Sequence, residues 1–244
     1  MLAAPEPLLS LRAVSRSFGA LKVTDGVSFD LAPGEALGII GPNGAGKSTL
    51  FSLIAGNLRP DAGAVRFAGG DVTADSPMRR CAAGIGRSFQ IPQPFGGLSV
   101  YENLLVAAQF GGGLRGPQAA VHCLDILERT GLAGVRDQAA GALPLLRRKR
   151  LELARALATS PRLLLLDEIA GGLTEAECGE LVETIRAIHA GGVAIVWIEH
   201  VLHALNAVVQ RLIVLSFGRV LMDGHPDDVM ASPAVREVYL GIEA

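Results

Sequence analysis

The stretch Gly41-Pro42-Asn43-Gly44-Ala45-Gly46-Lys47-Ser48-Thr49 follows the pattern G-x-x-x-x-G-K-[ST]. Its chemistry is polyphosphate capture. The glycines permit positive φ, so several backbone N–H groups can converge on one anion. Lys47 adds a mobile positive charge for the β- and γ-phosphates, and the Ser48 hydroxyl suits Mg²⁺, a hard cation that prefers oxygen. Asn43, Gly44, Ala45, Gly46, Lys47, Ser48 and Thr49 are therefore candidate nucleotide-binding residues.

Other candidates supply what a phosphate loop lacks. Asp167 offers a carboxylate for the outer shell of Mg²⁺, and Glu168 a group to orient or deprotonate water. Gln90 can hold Mg²⁺ or the water through its carbonyl oxygen, and His200 can donate to the γ-phosphate. The catalytic candidates are thus Glu168, His200 and Gln90, and the metal candidates Ser48, Gln90 and Asp167. Phe18 is placed in a turn ahead of the loop, where an aromatic ring could stack on adenine. Each has a plainer reading. The Asp-Glu pair could open a solvated loop, Gln90 could be a loop amide, Phe18 could pack in the core and His200 could be a satisfied core histidine. Glu199, His200 and His203 mimic metal-ligand spacing, but no cysteine cluster or further histidine lies nearby in sequence. The phosphate loop and the strand-end positions favour the phosphate roles.

The elements that must position these groups alternate between strand and helix. Residues 36–40 read as a buried strand before the loop and 47–55 as a helix after it, placing the phosphate at a helix N-terminus. Strands are expected at 9–14, 27–31, 64–68, 85–89, 162–166, 193–198, 212–216 and 219–222. A short helix is expected at 76–83. Ser99-Val100-Tyr101-Glu102 and Thr174-Glu175-Ala176-Glu177 are capping boxes opening helices to Phe110 and Ala190. Further helices are expected over 117–130, from about Leu146 to before Ser160-Pro161, and after Ser232-Pro233. Asp167-Glu168, His200 and Gln90 each follow a strand, and ligands of parallel sheets bind beyond the strands' carboxyl ends.

The chain has 244 residues, half of them hydrophobic, enough for one large domain or a domain with a subdomain. A formal charge of −2 gives no sign of a nucleic-acid partner. Cys81, Cys123 and Cys178 are widely spaced and odd in number, as expected of unpaired thiols in a reducing cytosol. No apolar run reaches the roughly 18 residues of a membrane span. Residues 1–10 lack a basic n-region and contain Glu6, unlike a signal peptide.

The order Phe18, phosphate loop, Gln90, helical segment, Leu163–Glu168, His200 resembles the ATP-binding subunit of ABC transporters over nearly the whole chain. The resemblance implies an α/β P-loop NTPase of the ABC type. Its mostly parallel sheet core would carry an N-terminal antiparallel β subdomain and an inserted helical subdomain. One domain would span 1–244, with 1–90 and 159–244 forming the nucleotide-binding core and 91–158 the helical part. The implied cofactors are ATP and Mg²⁺. The implied partners are a second ABC ATPase subunit, two integral membrane permease subunits and, indirectly, an external substrate-binding protein. Each ATP would lie between one chain's phosphate loop and the other's signature, on the cytoplasmic face of the membrane. Gly171-Gly172-Leu173-Thr174 would be the D-loop.

A finer similarity, to the branched-chain amino acid importer ATPases, rests on Arg87-Ser88-Phe89-Gln90-Ile91-Pro92, residues 95–104, Arg150 to Ala158 and the tail Val235 to Gly241. A soluble ABC ATPase and a small-molecule kinase are the competing functions, with a transporter ATPase for another substrate as a nearer alternative. The first often carries two P-loops or long insertions, and the second needs an acceptor site.

One segment departs from the pattern. The signature, usually L-S-G-G-Q or L-P-Y-G-Q, reads Leu143-Pro144-Leu145-Leu146-Arg147. Leu146 replaces a glycine that lets the backbone approach a partner's γ-phosphate, and the basic run Arg147-Arg148-Lys149-Arg150 follows. A heterodimer with unequal sites is expected, a homodimer being the alternative. Arg147 or its neighbour would partly replace the lost contacts. Ile169 stands where the family usually has proline after the catalytic glutamate.

Overall fold

The computed structural model describes residues 6–240. Residues 1–5 of the N-terminal stretch and Gly241 of the tail lie outside the described residues. In chain order the elements are β1 (Leu9–Phe18), β2 (Leu21–Leu31), β3 (Ala36–Ile40), α1 (Lys47–Ala55), β4 (Ala62–Phe67), β5 (Gly70–Asp71), α2 (Pro77–Ala83), β6 (Ile85–Arg87), α3 (Val100–Phe110), α4 (Gly116–Arg129), α5 (Leu145–Ala158), β7 (Leu163–Asp167), α6 (Glu175–Ala190), β8 (Ala194–Ile198), α7 (Leu202–Asn206), β9 (Arg211–Ser216), β10 (Arg219–Gly224), α8 (Pro226–Ala231) and α9 (Pro233–Leu240). They form an α/β fold in two compact units, Met1–Pro77 with Ala194–Ala244 and Met78–Val193.

The first unit holds two groups of strands. β2-β1-β4-β5 is antiparallel throughout. In the other group β3 lies between β8 and β9, parallel to both, and β10 returns antiparallel to β9. All five residues of β3 are buried, as an apolar strand covered on both faces requires. A side-chain carbon at Gly38 would collide with Leu205 of α7, so glycine here lets that helix pack directly on β3.

β1 corrects an expectation. Alternation in the sequence predicts a strand to Val14 followed by a turn, yet Arg16, Ser17 and Phe18 pair with Thr24, Lys22 and Leu21, leaving only Gly19-Ala20 as the turn. Register shifts after Leu11, Val14 and Arg16 and a positive φ at Ala13 explain the difference. Each bulge interrupts the two-residue period, so the strand ceases to look like one.

The second unit packs α3 against α4 and α5, with β6 and β7 pairing in parallel. Both capping boxes form: Ser99 accepts from the Glu102 N–H and Thr174 from the Glu177 N–H, with each glutamate returning to its cap. Here too an expected strand is shortened. β6 ends at Arg87, not Phe89. The Ser88 N–H still donates to Leu165 O (2.9 Å), but its hydroxyl then meets the Asp167 N–H (3.4 Å) and the chain leaves the ladder. α7 and α8, of five and six residues, are too short to show a helical period.

Candidate functional site

In the first unit, the loop between β3 and α1 has positive φ at Gly41 (153°), Gly44 (81°) and Gly46 (98°). A side-chain carbon at Gly41 would strike Leu215 O, and one at Gly46 would strike Val23 O, so the surroundings exclude any other residue. Gly46 is the N-cap of α1, and no side chain caps the helix. The first-turn N–H groups are thus presented to an anion rather than to a protein side chain. The Lys47 ammonium donates to Gly41 O (2.7 Å) and Pro42 O (3.1 Å), which draws it across the loop it would serve. Asn43, Gly44 and Ser48 are exposed, Thr49 half-buried and Ala45 buried.

Two residues far away in sequence hold this loop. The Gly218 N–H, in the β9–β10 turn, donates to Ala45 O (3.2 Å), and the Asp25 N–H, in β2, donates to Gly218 O (2.8 Å). A trans peptide directs its C=O and N–H oppositely. Fixing Ala45 O outward therefore turns the Gly46 N–H the other way. Asp25 also pairs with Lys22 and Arg219. Neither Gly218 nor Asp25 carries a motif in sequence.

His200 lies two residues beyond β8, the parallel neighbour of β3, so it and the loop occupy the same carboxyl edge of that group of strands. Its N–H donates to Glu199 Oε2 (3.0 Å) and its ring Nδ1 lies 3.6 Å from that oxygen. Glu199 is buried while the His200 side chain is 58% exposed, so the imidazole stands at the surface beside a buried carboxylate. Phe18 ends β1 with its ring half exposed and the Arg16 guanidinium 5.2 Å away, which leaves a face rather than a core contact.

The second unit gathers Gln90, Asp167 and Glu168. Asp167 ends β7 and is buried. Gln90 Nε2 donates to Glu168 Oε2 at 2.6 Å, which turns the amide oxygen of Gln90 away from that carboxylate. Glu168 has φ 46°, a left-handed conformation that a non-glycine residue adopts at a cost of about 1 kcal/mol or more. The preceding leucines and buried Ile169 are fixed in the core, so the strain sits in the one residue that must turn out of the strand. Arg87, which no motif singled out, donates to Asp167 Oδ2 at 2.9 Å. The signal available in sequence was a lone arginine in a short apolar strand, three residues before Gln90.

The segment expected as the signature lies at the start of α5. Leu143 is buried, Pro144 is the extended N-cap without a side-chain cap bond, Leu145 is exposed and Leu146 half-buried. Arg148 donates to Leu143 O (2.7 Å) and Gly141 O (2.8 Å), Arg150 pairs with Glu180 (2.7 Å) and Lys149 is buried. Arg147 alone of the four is exposed with no partner among the described residues.

Comparison with known proteins follows the same lines. The family model described as "ABC transporter" matches residues 24–171, and that described as "Branched-chain amino acid ATP-binding cassette transporter" matches residues 219–244. A "Probable ABC transporter ATP-binding protein" of Azorhizobium caulinodans is 36% identical, over 99% of this chain and 85% of its own. The "High-affinity branched-chain amino acid transport ATP-binding protein LivG" of Escherichia coli K12 is 34% identical, over 97% of this chain and 98% of its own. The "Lipopolysaccharide export system ATP-binding protein LptB" of Acidithiobacillus ferridurans is 33% identical, over 96% and 97%. A nucleotide-free ATP-binding cassette from an ABC transporter superposes with TM-score 0.89 at 30% identity, covering 97% of this chain and 100% of that one. The ADP conformation of another such cassette gives 0.89 at 31%, again over 97% and 100%. Among the described residues, no helix is long and apolar enough to cross a membrane.

Proposed function

Because the chain belongs to the ATP-binding cassette family of ABC transporters, whose members bind nucleotide and hydrolyse ATP to drive membrane permease subunits, we propose that it energises an importer for branched-chain or other hydrophobic amino acids. The observation that carries the importer reading is the C-terminal match over residues 219–244, the part of the chain beyond the general cassette. The likeness to a lipopolysaccharide export ATPase extends over 96% of the chain and supports export as the second reading. The chain would work at the cytoplasmic face of the membrane, beneath two permeases supplied by an external binding protein.

The chemistry follows from the residues. The N–H groups of the loop and Lys47 hold the phosphates, and Phe18 offers its face to adenine. Ser48, Asp167 and the amide oxygen of Gln90 are all hard oxygen donors, the set that Mg²⁺ selects. When bound, that ion would neutralise phosphate charge. Glu168 orients water and accepts its proton, and His200 donates to the γ-phosphate from its exposed ring.

The signature supports an unequal pair. Leu145 and Leu146 put bulk where a close backbone approach is needed, and Arg148 is committed to its own chain's carbonyls. Arg147 is the side chain left to meet a partner's ATP. Hydrolysis would centre on the site with this chain's Lys47 and Glu168, completed by another chain's signature. The test is phosphate release by the complex in proteoliposomes, with and without leucine-loaded binding protein. Stimulation by the loaded protein and its loss in Glu168→Gln are expected. If Glu168→Gln turns over normally while the matching change in the partner abolishes release, the active site is the partner's. No stimulation by any loaded amino acid would overturn the importer reading.

A further inference from the structure

We propose that Arg87 is a positioning residue that sets the Mg²⁺ affinity of the hydrolysis site by holding Asp167 as its ion-pair partner. The inference rests on the assignment of Asp167 to Mg²⁺ above. The pair joins the end of β6 to the end of β7, and its side chains are only 13% and 9% exposed. The Phe89 ring lies beneath the guanidinium, 5.0 Å from it. One residue further on, Gln90 binds Glu168 at 2.6 Å. Ser88, between them, receives the Asp167 N–H at 3.4 Å. Arg87, Ser88 and Gln90 thus fasten both carboxylates of the site and the backbone between the strands.

The electrostatics have a definite sign. A buried carboxylate needs a counter-charge, and Arg87 supplies it in planar hydrogen-bonded form. A cation already bonded to Oδ2 weakens the attraction of that carboxylate for a second cation, and it dictates which oxygen faces away. Arg87 therefore holds Asp167 in a fixed orientation at the expense of metal affinity. Its neighbours Phe89 and Ile91 are 47% and 70% accessible, so the same segment reaches the surface. Any displacement that draws Arg87 off Asp167 would raise the affinity for Mg²⁺.

The experiment is calorimetric titration of the full chain with ADP over a range of Mg²⁺ concentrations, reading half-saturation by the metal rather than turnover. Arg87→Gln, which keeps a donor and removes the charge, is expected to lower Mg²⁺ half-saturation about tenfold, equivalent to about 1.4 kcal/mol. Metal-free ADP affinity should not move, and Arg87→Lys, which keeps the charge but not the planar fork, should shift Mg²⁺ half-saturation less than Arg87→Gln does. Because Arg87→Gln strips a buried charge of its partner, the same change is also made with Asp167→Asn, a neutral pair that folds without a buried ion. There the shift should fall below about threefold, since the effect runs through Asp167. Half-saturation unchanged or weaker in Arg87→Gln, or an equal shift in both backgrounds, overturns the proposal. Ser48→Ala separates the two levels. If it weakens the Mg²⁺ dependence while Arg87→Gln leaves it alone, only the role of Arg87 fails. If Ser48→Ala and Asp167→Asn both leave it unmoved, the metal assignment fails and this inference with it.

Discussion

Gly218→Ala tests whether the phosphate loop is held in shape from outside its own motif. Gly218 has φ 76°. An added Cβ would stand 2.6 Å from Val23 O and 3.0 Å from Val23 C, both backbone atoms of β2. Alanine at positive φ costs about 1 kcal/mol, and the contact with β2 must be relieved by moving the turn. That movement loosens the two hydrogen bonds through Gly218, at 3.2 Å to Ala45 O and 2.8 Å from the Asp25 N–H, each worth about 1 kcal/mol net. The total is about 3 kcal/mol. If half of it falls on the loop's orientation and half on the turn itself, affinity for the β-phosphate drops about tenfold. The assay compares ADP with AMP by calorimetry on the full chain. ADP should weaken by about this factor while AMP, which does not reach the loop in the same way, should hold. Equal weakening of both would mean general loosening of the fold. Unchanged ADP affinity would refute the view that the Ala45 peptide is fixed by the β9–β10 turn.

Two further outcomes follow from local geometry. Thr174→Ala removes the hydroxyl that accepts the Glu177 N–H at 3.3 Å and should cost about 1 kcal/mol in urea unfolding, with Thr174→Ser restoring most of it; no loss would mean that the cap is idle in solution. The pH dependence involves Asp25, whose carboxyl is held below its usual range by Lys22 first and Arg219 second. A depressed folded-state pKa means stability present above the ordinary carboxylate range and lost as pH falls through the lower folded value. The melting temperature of Asp25→Asn should accordingly lie below wild type near neutrality and meet it in strong acid, and a gap that persists in acid would show that the charge is not the cause.

Much of the site could be read from local sequence because its parts are local devices. The bounds of β3 and α1 follow from an apolar run, a glycine loop and a helix start, and both capping boxes are written within four residues. What was not legible depends on strand pairing. Arg87 and Asp167 are 80 positions apart, and nothing in either neighbourhood names the other. Gly218 looks like an ordinary hairpin glycine until the turn is seen to carry the Ala45 carbonyl. Phe18 reads as part of a turn because bulges hide the end of β1 from a two-residue period.

The basic run after the signature shows why charge alone is a poor guide to role. Four successive cations at a helix start oppose the macrodipole, and together they suggest an anion site. The structure divides them. Arg148 curls back onto the carbonyls of Gly141 and Leu143, satisfying acceptors of its own loop. Arg150 reaches Glu180 on α6, and Lys149 is buried. Three of the four thus serve this chain's own packing, and the field at the start of α5 is partly spent there. Arg147 remains, exposed beside the half-buried Leu146. A long flexible cation can reach a phosphate that a leucine backbone cannot closely approach, but it arrives as a solvated charge and not as a preorganised amide. Such a contact favours holding ATP over stabilising its transition state. On the reading proposed above, the phosphate loop of this chain and the leucines at the start of α5 would belong to a pair in which one site hydrolyses and the other chiefly binds.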